Sequence, residues 1–227
     1  MRKIISFSLW GNNPKYTVGA IKNAELTSVI YPGWLSRFYI GSSVPNQIVY
    51  ALEDYSDIEI VVKEESGNWA SMFWRFEACF DSNADFVIFR DTDSRLNMRE
   101  KNAVDEWLNG DKTFHIMRDH PYHKFPILGG MWGIKINNKY DMQNMISHYQ
   151  LNKARDTYGT DYDFLGGTLY PLIKDDCCIH DEFFGGKKFP SERQNFEFVG
   201  EPFNEDDVAC DNTHKEVLKR ALKNEVF

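Results

Sequence analysis

Phe86-Val87-Ile88-Phe89-Arg90-Asp91-Thr92-Asp93 is an apolar run that ends in two carboxylates. It reads as a strand, Asp85 to Phe89, that delivers an acidic pair where strand gives way to loop. Residues i and i+2 of an extended segment point to the same side. Asp91 and Asp93 can therefore share one hard divalent cation, and that cation can hold a diphosphate. A bare Asp-x-Asp is also ordinary turn chemistry, because Asp and Ser are common where strands end. The rest of the chain has to decide between the two.

Upstream, Ile4 to Leu9 reads as a strand and Tyr16 to Ile30 as a helix stopped by Tyr31-Pro32-Gly33. Arg37 to Ile40 and Ile58 to Val62 read as strands, with a helix from about Pro45 to Asp54 between them. Met72, Phe73, Phe76 and Phe80 then recur at helical spacing. Downstream, Asn97 as N-cap with Glu100 three residues on predicts a helix start. Val104, Trp107 and Leu108 form its apolar stripe, and Asn109-Gly110 ends it. Phe114 to Met117 and Gly129 to Ile134 are expected strands; Met142, Met145, Ile146 and Tyr149 mark one face of a further helix. From about Ser191 the chain is polar and punctuated, which predicts a loop-rich tail and a short helix around Lys215 to Leu222. Strands alternating with helices predict an α/β domain, residues 1–227, with a mostly parallel central sheet flanked by helices.

The 227 residues carry a formal net charge of -8, and 42% are hydrophobic. The mean hydropathy is -0.50, and no apolar run approaches the roughly 18 residues of a membrane span. Ile4 to Trp10 follows Met1-Arg2-Lys3 as a signal peptide would. It is short, contains Ser6 and Ser8, and runs into Gly11-Asn12-Asn13-Pro14 without a cleavage site. Cys79, Cys177, Cys178 and Cys210 have no zinc-cluster spacing, and no Asn-x-Ser/Thr sequon occurs; both fit a cytoplasmic protein. The acidic balance argues against a nucleic-acid groove. An acidic protein that binds an anionic nucleotide needs a local cation, and a metal on Asp91 and Asp93 supplies one.

In order along the chain stand Ser8-Leu9-Trp10-Gly11, Phe73-Trp74-Arg75-Phe76, Arg90-Asp91-Thr92-Asp93-Ser94, Leu128-Gly129-Gly130, Thr160-Asp161 and Ile179-His180-Asp181. This series resembles the GT-A fold of nucleotide-sugar-dependent glycosyltransferases, most of all the compact enzymes of bacteria and large DNA viruses, over nearly the whole chain. The resemblance implies that Asp91 and Asp93 hold Mn²⁺ or Mg²⁺ against the donor diphosphate, and that His180 completes the metal shell. It implies that Gly129 and Gly130 lie under the sugar and acceptor, and that Asp161 sits at the reaction centre. Tyr162 stands where the family often has Gln, which leaves inversion or retention open. A carboxylate and imidazole set would suit Mn²⁺ over Mg²⁺.

Other residues take roles around that centre. Asp93 is expected as the direct metal ligand, with Asp91 on metal, ribose or both and Thr92 between them on the donor. Leu9, Trp10 and Tyr16 would frame a nucleobase such as uracil. Arg75, a charge in an aromatic stretch, is either an internal ion pair with Asp91 or Glu77 or a direct nucleotide contact. Arg90 and Arg95 are expected to compensate the acidic pair. The loop Met117 to His123 offers sugar contacts; the spacing of His120 and His123 does not specify a metal. Inversion needs a carboxylate base at the acceptor hydroxyl, with Asp161 the first candidate and Asp119 the second. The expected reaction is transfer of a sugar from a UDP-linked donor to a glycan or other hydroxyl acceptor. Two alternatives are a haloacid-dehalogenase-type phosphatase, in which the acidic motif belongs on the first strand, and a non-catalytic sugar-nucleotide-binding module.

Overall fold

The computed structural model describes residues 1–223. Seven strands form one sheet in the order β3-β2-β1-β4-β6-β5-β7. They are β1 (Lys3–Leu9), β2 (Leu35–Gly41), β3 (Ile58–Lys63), β4 (Phe86–Phe89), β5 (Phe114–Arg118), β6 (Trp132–Lys135) and β7 (Cys177–Asp181). β1 lies parallel between β2 and β4, while β6 runs antiparallel to both β4 and β5. The sheet is therefore mostly parallel, as the alternation of elements predicts.

Helices cover both faces. Val87 and Phe89 of β4 pack in one apolar layer with Phe73, Phe76, Trp132 and Phe164. Ile88 packs in the other with Phe7, Phe38, Leu52 and Trp107. β4 is thus buried on both sides, which explains why it reads as an unbroken apolar run.

Two boundaries shift for local reasons. Helix α1 (Pro14–Ile30) starts ahead of Tyr16, because the Asn13 side chain accepts from the Lys15 N–H and Pro14 suits a first turn. The aromatic helical segment is a 3-10 helix, Trp69–Phe80, opened by a capping box between Asn68 and Ser71. The Gly129-Gly130 pair is not in a strand: it forms a turn, and β6 begins at Trp132. Helices α2 (Asn46–Glu53), α3 (Met98–Asn109) and α4 (Met142–Asn152) match the predicted stretches, and the terminal helix spans Asn212–Leu222. Among the described residues no helix is long and apolar enough to cross a membrane.

Arg90 does not face the acidic pair. Its Nε donates to Glu100 Oε1 at 3.1 Å and its Nη1 to the Phe89 carbonyl at 2.7 Å, and the Tyr31 hydroxyl donates to the same carboxylate at 2.9 Å. All three side chains are buried, so Arg90 anchors α3 and α1 beneath the sheet instead of compensating the carboxylates above it. Removing one partner of a buried pair strands the other's charge. Glu100→Ala should therefore cost about 3–5 kcal/mol in urea unfolding, and Tyr31→Phe only about 1 kcal/mol.

Candidate functional site

β1 and β4 are adjacent and parallel, so the loops leaving their carboxyl ends emerge side by side. The strand order reverses between them, since β2 and β3 continue on one side of β1 and β4 starts the other. Open α/β sheets bind ligands in the crevice at such a switch point. Here a cavity of about 690 Å³ opens, lined by Ser8 to Asn13, Lys15, Tyr16, Trp69, Met72, Arg75, Asp91 to Asp93, Tyr158, Asp161, Tyr162 and Pro202.

The acidic loop is pinned from below by α1. Asn23, fully buried, donates to the carbonyls of Thr92 at 3.2 Å and Ser94 at 2.8 Å and accepts from the Leu96 N–H at 3.1 Å. One turn earlier, Gly19 lets the helix meet the Thr92 carbonyl at a distance a Cβ would not allow.

Arg75 is the centre of the site's charge. Ser8 Oγ accepts from its backbone N–H at 2.9 Å, and Ser6 Oγ donates to its carbonyl at 2.7 Å, so two buried serines of β1 hold its backbone. Its Nη1 pairs with Asp91 Oδ1 and its Nη2 with Asp161 Oδ2, the latter at 2.9 Å. Burial opposes the charge on Arg75, but Asp91 and Asp161 outweigh it and hold the guanidinium above its ordinary pKa. The internal pair is thus with Asp91 and Asp161; Glu77 pairs with Lys63 instead.

The glycine turn closes over this group. A Cβ at Gly129 would overlap Asp161 Oδ2 and Arg75 Nη2, and one at Gly130 would overlap the Asp91 carboxylate. Close approach, not a left-handed backbone, is why glycine stands at both positions.

Asp93 pairs with Lys15 Nζ at 2.7 Å. Burial and the Asp91 charge raise its pKa against the pull of Lys15. Asp161 is also raised, first by burial, with Arg75 opposing and Asp91 adding. Three carboxylates thus face two side-chain cations, Arg75 and Lys15. The donors of the pair are all oxygen, and no third His, Cys, Asp or Glu among the described residues joins them within ligand distance. That set fits a hard cation of the Mg²⁺ type, which takes one or two carboxylates and completes its shell with water and substrate phosphate.

Leu9, Trp10, Tyr16 and Thr92 line the cavity as expected. Trp10 stands edge-on to both Trp69 and Trp74, each 6.4 Å away between centroids. Four expectations fail. His180 is fully buried on β7, three strands from β4 and so roughly 14 Å away, where it bonds to His115 and Glu106. It is no ligand for the acidic pair, and without its imidazole the case for Mn²⁺ over Mg²⁺ lapses. Asp119 is fully buried and accepts from Arg99, Arg193 and the Val199 N–H. Its oxygens are spent on fastening the tail, so it cannot serve as a base. Arg95 pairs with Asp207 of the tail at 2.8 Å and donates to the Ser94 carbonyl at 3.0 Å, so it braces the backbone of the acidic loop and not its carboxylates. His120 and His123 bond to the backbone of His214 and Asp119, outside the cavity. Sequence reading missed Lys15, Asn23, Trp69 and Tyr158; Lys15 alone carried a signal, as the first cation after the loop leaving β1.

Compared by sequence, the chain matches no family model and no curated protein. Compared by structure, it is similar to a glycosyltransferase involved in glycosylation of the major capsid of PBCV-1, at 15% identity over 82% of this chain and 84% of that one, with a TM-score of 0.53. It is similar to the galactosyltransferase LgtC in complex with donor and acceptor sugar analogs, at 14% identity over 80% and 74%, with a TM-score of 0.53. It is also similar to 4-diphosphocytidyl-2C-methyl-D-erythritol synthase from Anaerococcus prevotii, at 12% identity over 85% and 92%, with a TM-score of 0.51. At these identities the likeness establishes the fold, which is GT-A.

Gly130→Ala tests the close approach directly. The added methyl displaces the Asp91 carboxylate, so the affinity for UDP with Mg²⁺ or Mn²⁺ in titration calorimetry should fall by at least about tenfold, roughly 1.4 kcal/mol. Unchanged affinity would mean that Asp91 has no part in nucleotide binding.

Proposed function

We propose that this chain is a metal-dependent glycosyltransferase that moves a sugar from a nucleoside diphosphate donor, with UDP the first nucleotide to try, to a hydroxyl acceptor such as a glycan. The observation that carries the reading is the Asp91–Arg75–Asp161 bridge at the floor of the cavity. It places a second, buried carboxylate beside the acidic pair, and the two have different work to do.

Asp91 and Asp93 would hold the divalent cation, which neutralises charge developing on the leaving diphosphate. With Asp93 committed to the cation, Lys15, which now pairs with it at 2.7 Å, would be free to meet a phosphate oxygen. Trp10 and Tyr16 offer flat apolar walls for the base. Asp161, raised in pKa by burial, would accept the proton of an acceptor hydroxyl. Trp69 and Tyr158, 40% and 70% exposed at the cavity's mouth, give the acceptor an aromatic surface.

A dehalogenase-type phosphatase is the weaker reading, because the acidic pair follows β4 and not the first strand. The fold is shared with a synthase named for a diphosphocytidyl compound, so the products have to separate sugar transfer from nucleotidyl transfer. Incubation with UDP-sugars and Mg²⁺ or Mn²⁺ should release UDP, by transfer or slow hydrolysis. Release of pyrophosphate from UTP and a sugar phosphate would overturn the proposal in favour of nucleotidyl transfer.

Two substitutions separate binding from chemistry. Asp93→Asn weakens a hard-cation ligand, so metal-dependent UDP binding and turnover should fail together, and chelation should do the same to the native protein. Asp161→Asn should leave UDP affinity within about threefold and lower turnover by about 10² to 10⁴, the usual worth of general-base assistance. Wild-type turnover in Asp161→Asn would remove that residue from the mechanism.

A further inference from the structure

Among the described residues, the side chains that do gather as a closed set of metal donors are Glu106, Cys178 and His180, whose ligand atoms lie within 4.8 Å of one another. Cys178 and His180 are two apart on β7 and share a face, and the parallel register sets Cys178 beside His115 of β5. Helix α3 covers that face: the Trp107 ring stacks on His115 with centroids 5.3 Å apart, and the next residue back, Glu106, reaches the sheet edge. His180 Nδ1 lies 2.8 Å from His115 Nε2 and 4.0 Å from Cys178 Sγ, and its Nε2 lies 3.1 Å from Glu106 Oε1.

We propose that Glu106, Cys178 and His180 form a zinc-binding site that staples α3 to the edge strand β7, separate from the acidic pair. One sulfur, one nitrogen and one oxygen are the mixed donors Zn²⁺ accepts, whereas Mg²⁺ avoids thiolate. Tetrahedral bonds of about 2.0–2.3 Å require the three atoms to draw together by roughly 1 Å, a movement within reach of the Glu106 and Cys178 side chains. His115 occupies Nδ1 of His180 as the outer partner of a ligating histidine would, which leaves Nε2, the nitrogen that faces Glu106, to take the metal. Solvent reaches the cluster through the partly exposed Glu106, whose side chain is 33% accessible, and leaves a fourth position for water.

The spot already draws a cation. Lys187 pairs with Glu106 Oε1, yet its side chain is 61% exposed and can swing into water with its charge intact. Burial lowers the pKa of the His180 imidazole against the pull of Glu106 and raises that of the Cys178 thiol. Zinc binding therefore releases one proton, from that thiol, as the zinc–sulfur bond forms.

Titration of the metal-free full chain with Co²⁺ tests the site. One equivalent should give the near-ultraviolet thiolate-to-cobalt charge-transfer band, bleached by Zn²⁺ and indifferent to millimolar Mg²⁺. Cys178→Ser should abolish the band, Cys177→Ser should keep it, and Glu106→Gln should weaken Co²⁺ binding by about tenfold or more. Asp91→Asn with Asp93→Asn should leave the band in place, so the result is independent of the proposed transferase activity. Zn²⁺ should raise the Tm of the native chain and not of Cys178→Ser. No band in the native chain, or a band that survives Cys178→Ser, overturns the proposal.

Discussion

A guanidinium buried between two carboxylates is the constraint on which the site depends. Arg75 is only 3% exposed, and an isolated charge so placed would be prohibitively costly. Asp91 and Asp161 compensate it, and each consequence follows from keeping the three together. β1 must carry serines where a buried strand would otherwise carry aliphatic residues, because Ser6 and Ser8 hold the Arg75 backbone. The turn before β6 must be bare of side chains, because Gly129 and Gly130 lie against the carboxylates. The segment carrying Asp161 must reach across to the 3-10 helix, which its apolar neighbour Phe164 secures by packing on Phe73 and Phe76.

The same geometry divides labour between the two ends of the acidic loop. Asp91 is locked to a fixed cation, while Asp93 is paired with a lysine at the start of α1 whose side chain is 28% exposed. A buried arginine cannot leave without stranding two charges; a half-exposed lysine can. In the proposed metal site the cation would meet one preorganised carboxylate and one whose counter-ion is exchangeable, and the loop backbone between them is fixed by Asn23.

How much of this was legible in the sequence depends on how local each feature is. The strand-to-acid junction is contiguous, so it could be read. Arg75 announced itself as a charge in an aromatic run, and its bridge from Asp91 to Asp161 matches one of the readings of that residue. The glycine pair was legible as glycine but not as a turn, since the apolar residues after it continue a strand pattern. Asp119 and His180 failed for a shared reason. What surrounds them comes from far along the chain, Arg193 and Val199 for the one and Glu106 and His115 for the other, and a titratable residue beside a motif gives no hint of partners that distant. Asn23 left no trace at all, because a polar residue on a helix reads as a solvated face until tertiary packing buries it.

The misplacement of His180 sharpens the chemistry of both ends of the molecule. Moved off the acidic pair, it leaves a donor set of oxygens only, which under the proposed function would borrow ligands from the donor's phosphates and so couple metal binding to nucleotide binding. Placed at the sheet edge beside a thiol, it belongs to a three-donor set that would need only water, and no substrate, as its fourth ligand. If both proposals hold, one fold separates a hard site, open to exchange at the cavity, from a softer one whose ligands come from helix α3 and strand β7. The acidic net charge of -8 fits that division: the cations that matter at the cavity are two side chains and whatever metal arrives, positioned singly, and a broadly basic surface would add nothing to their selectivity.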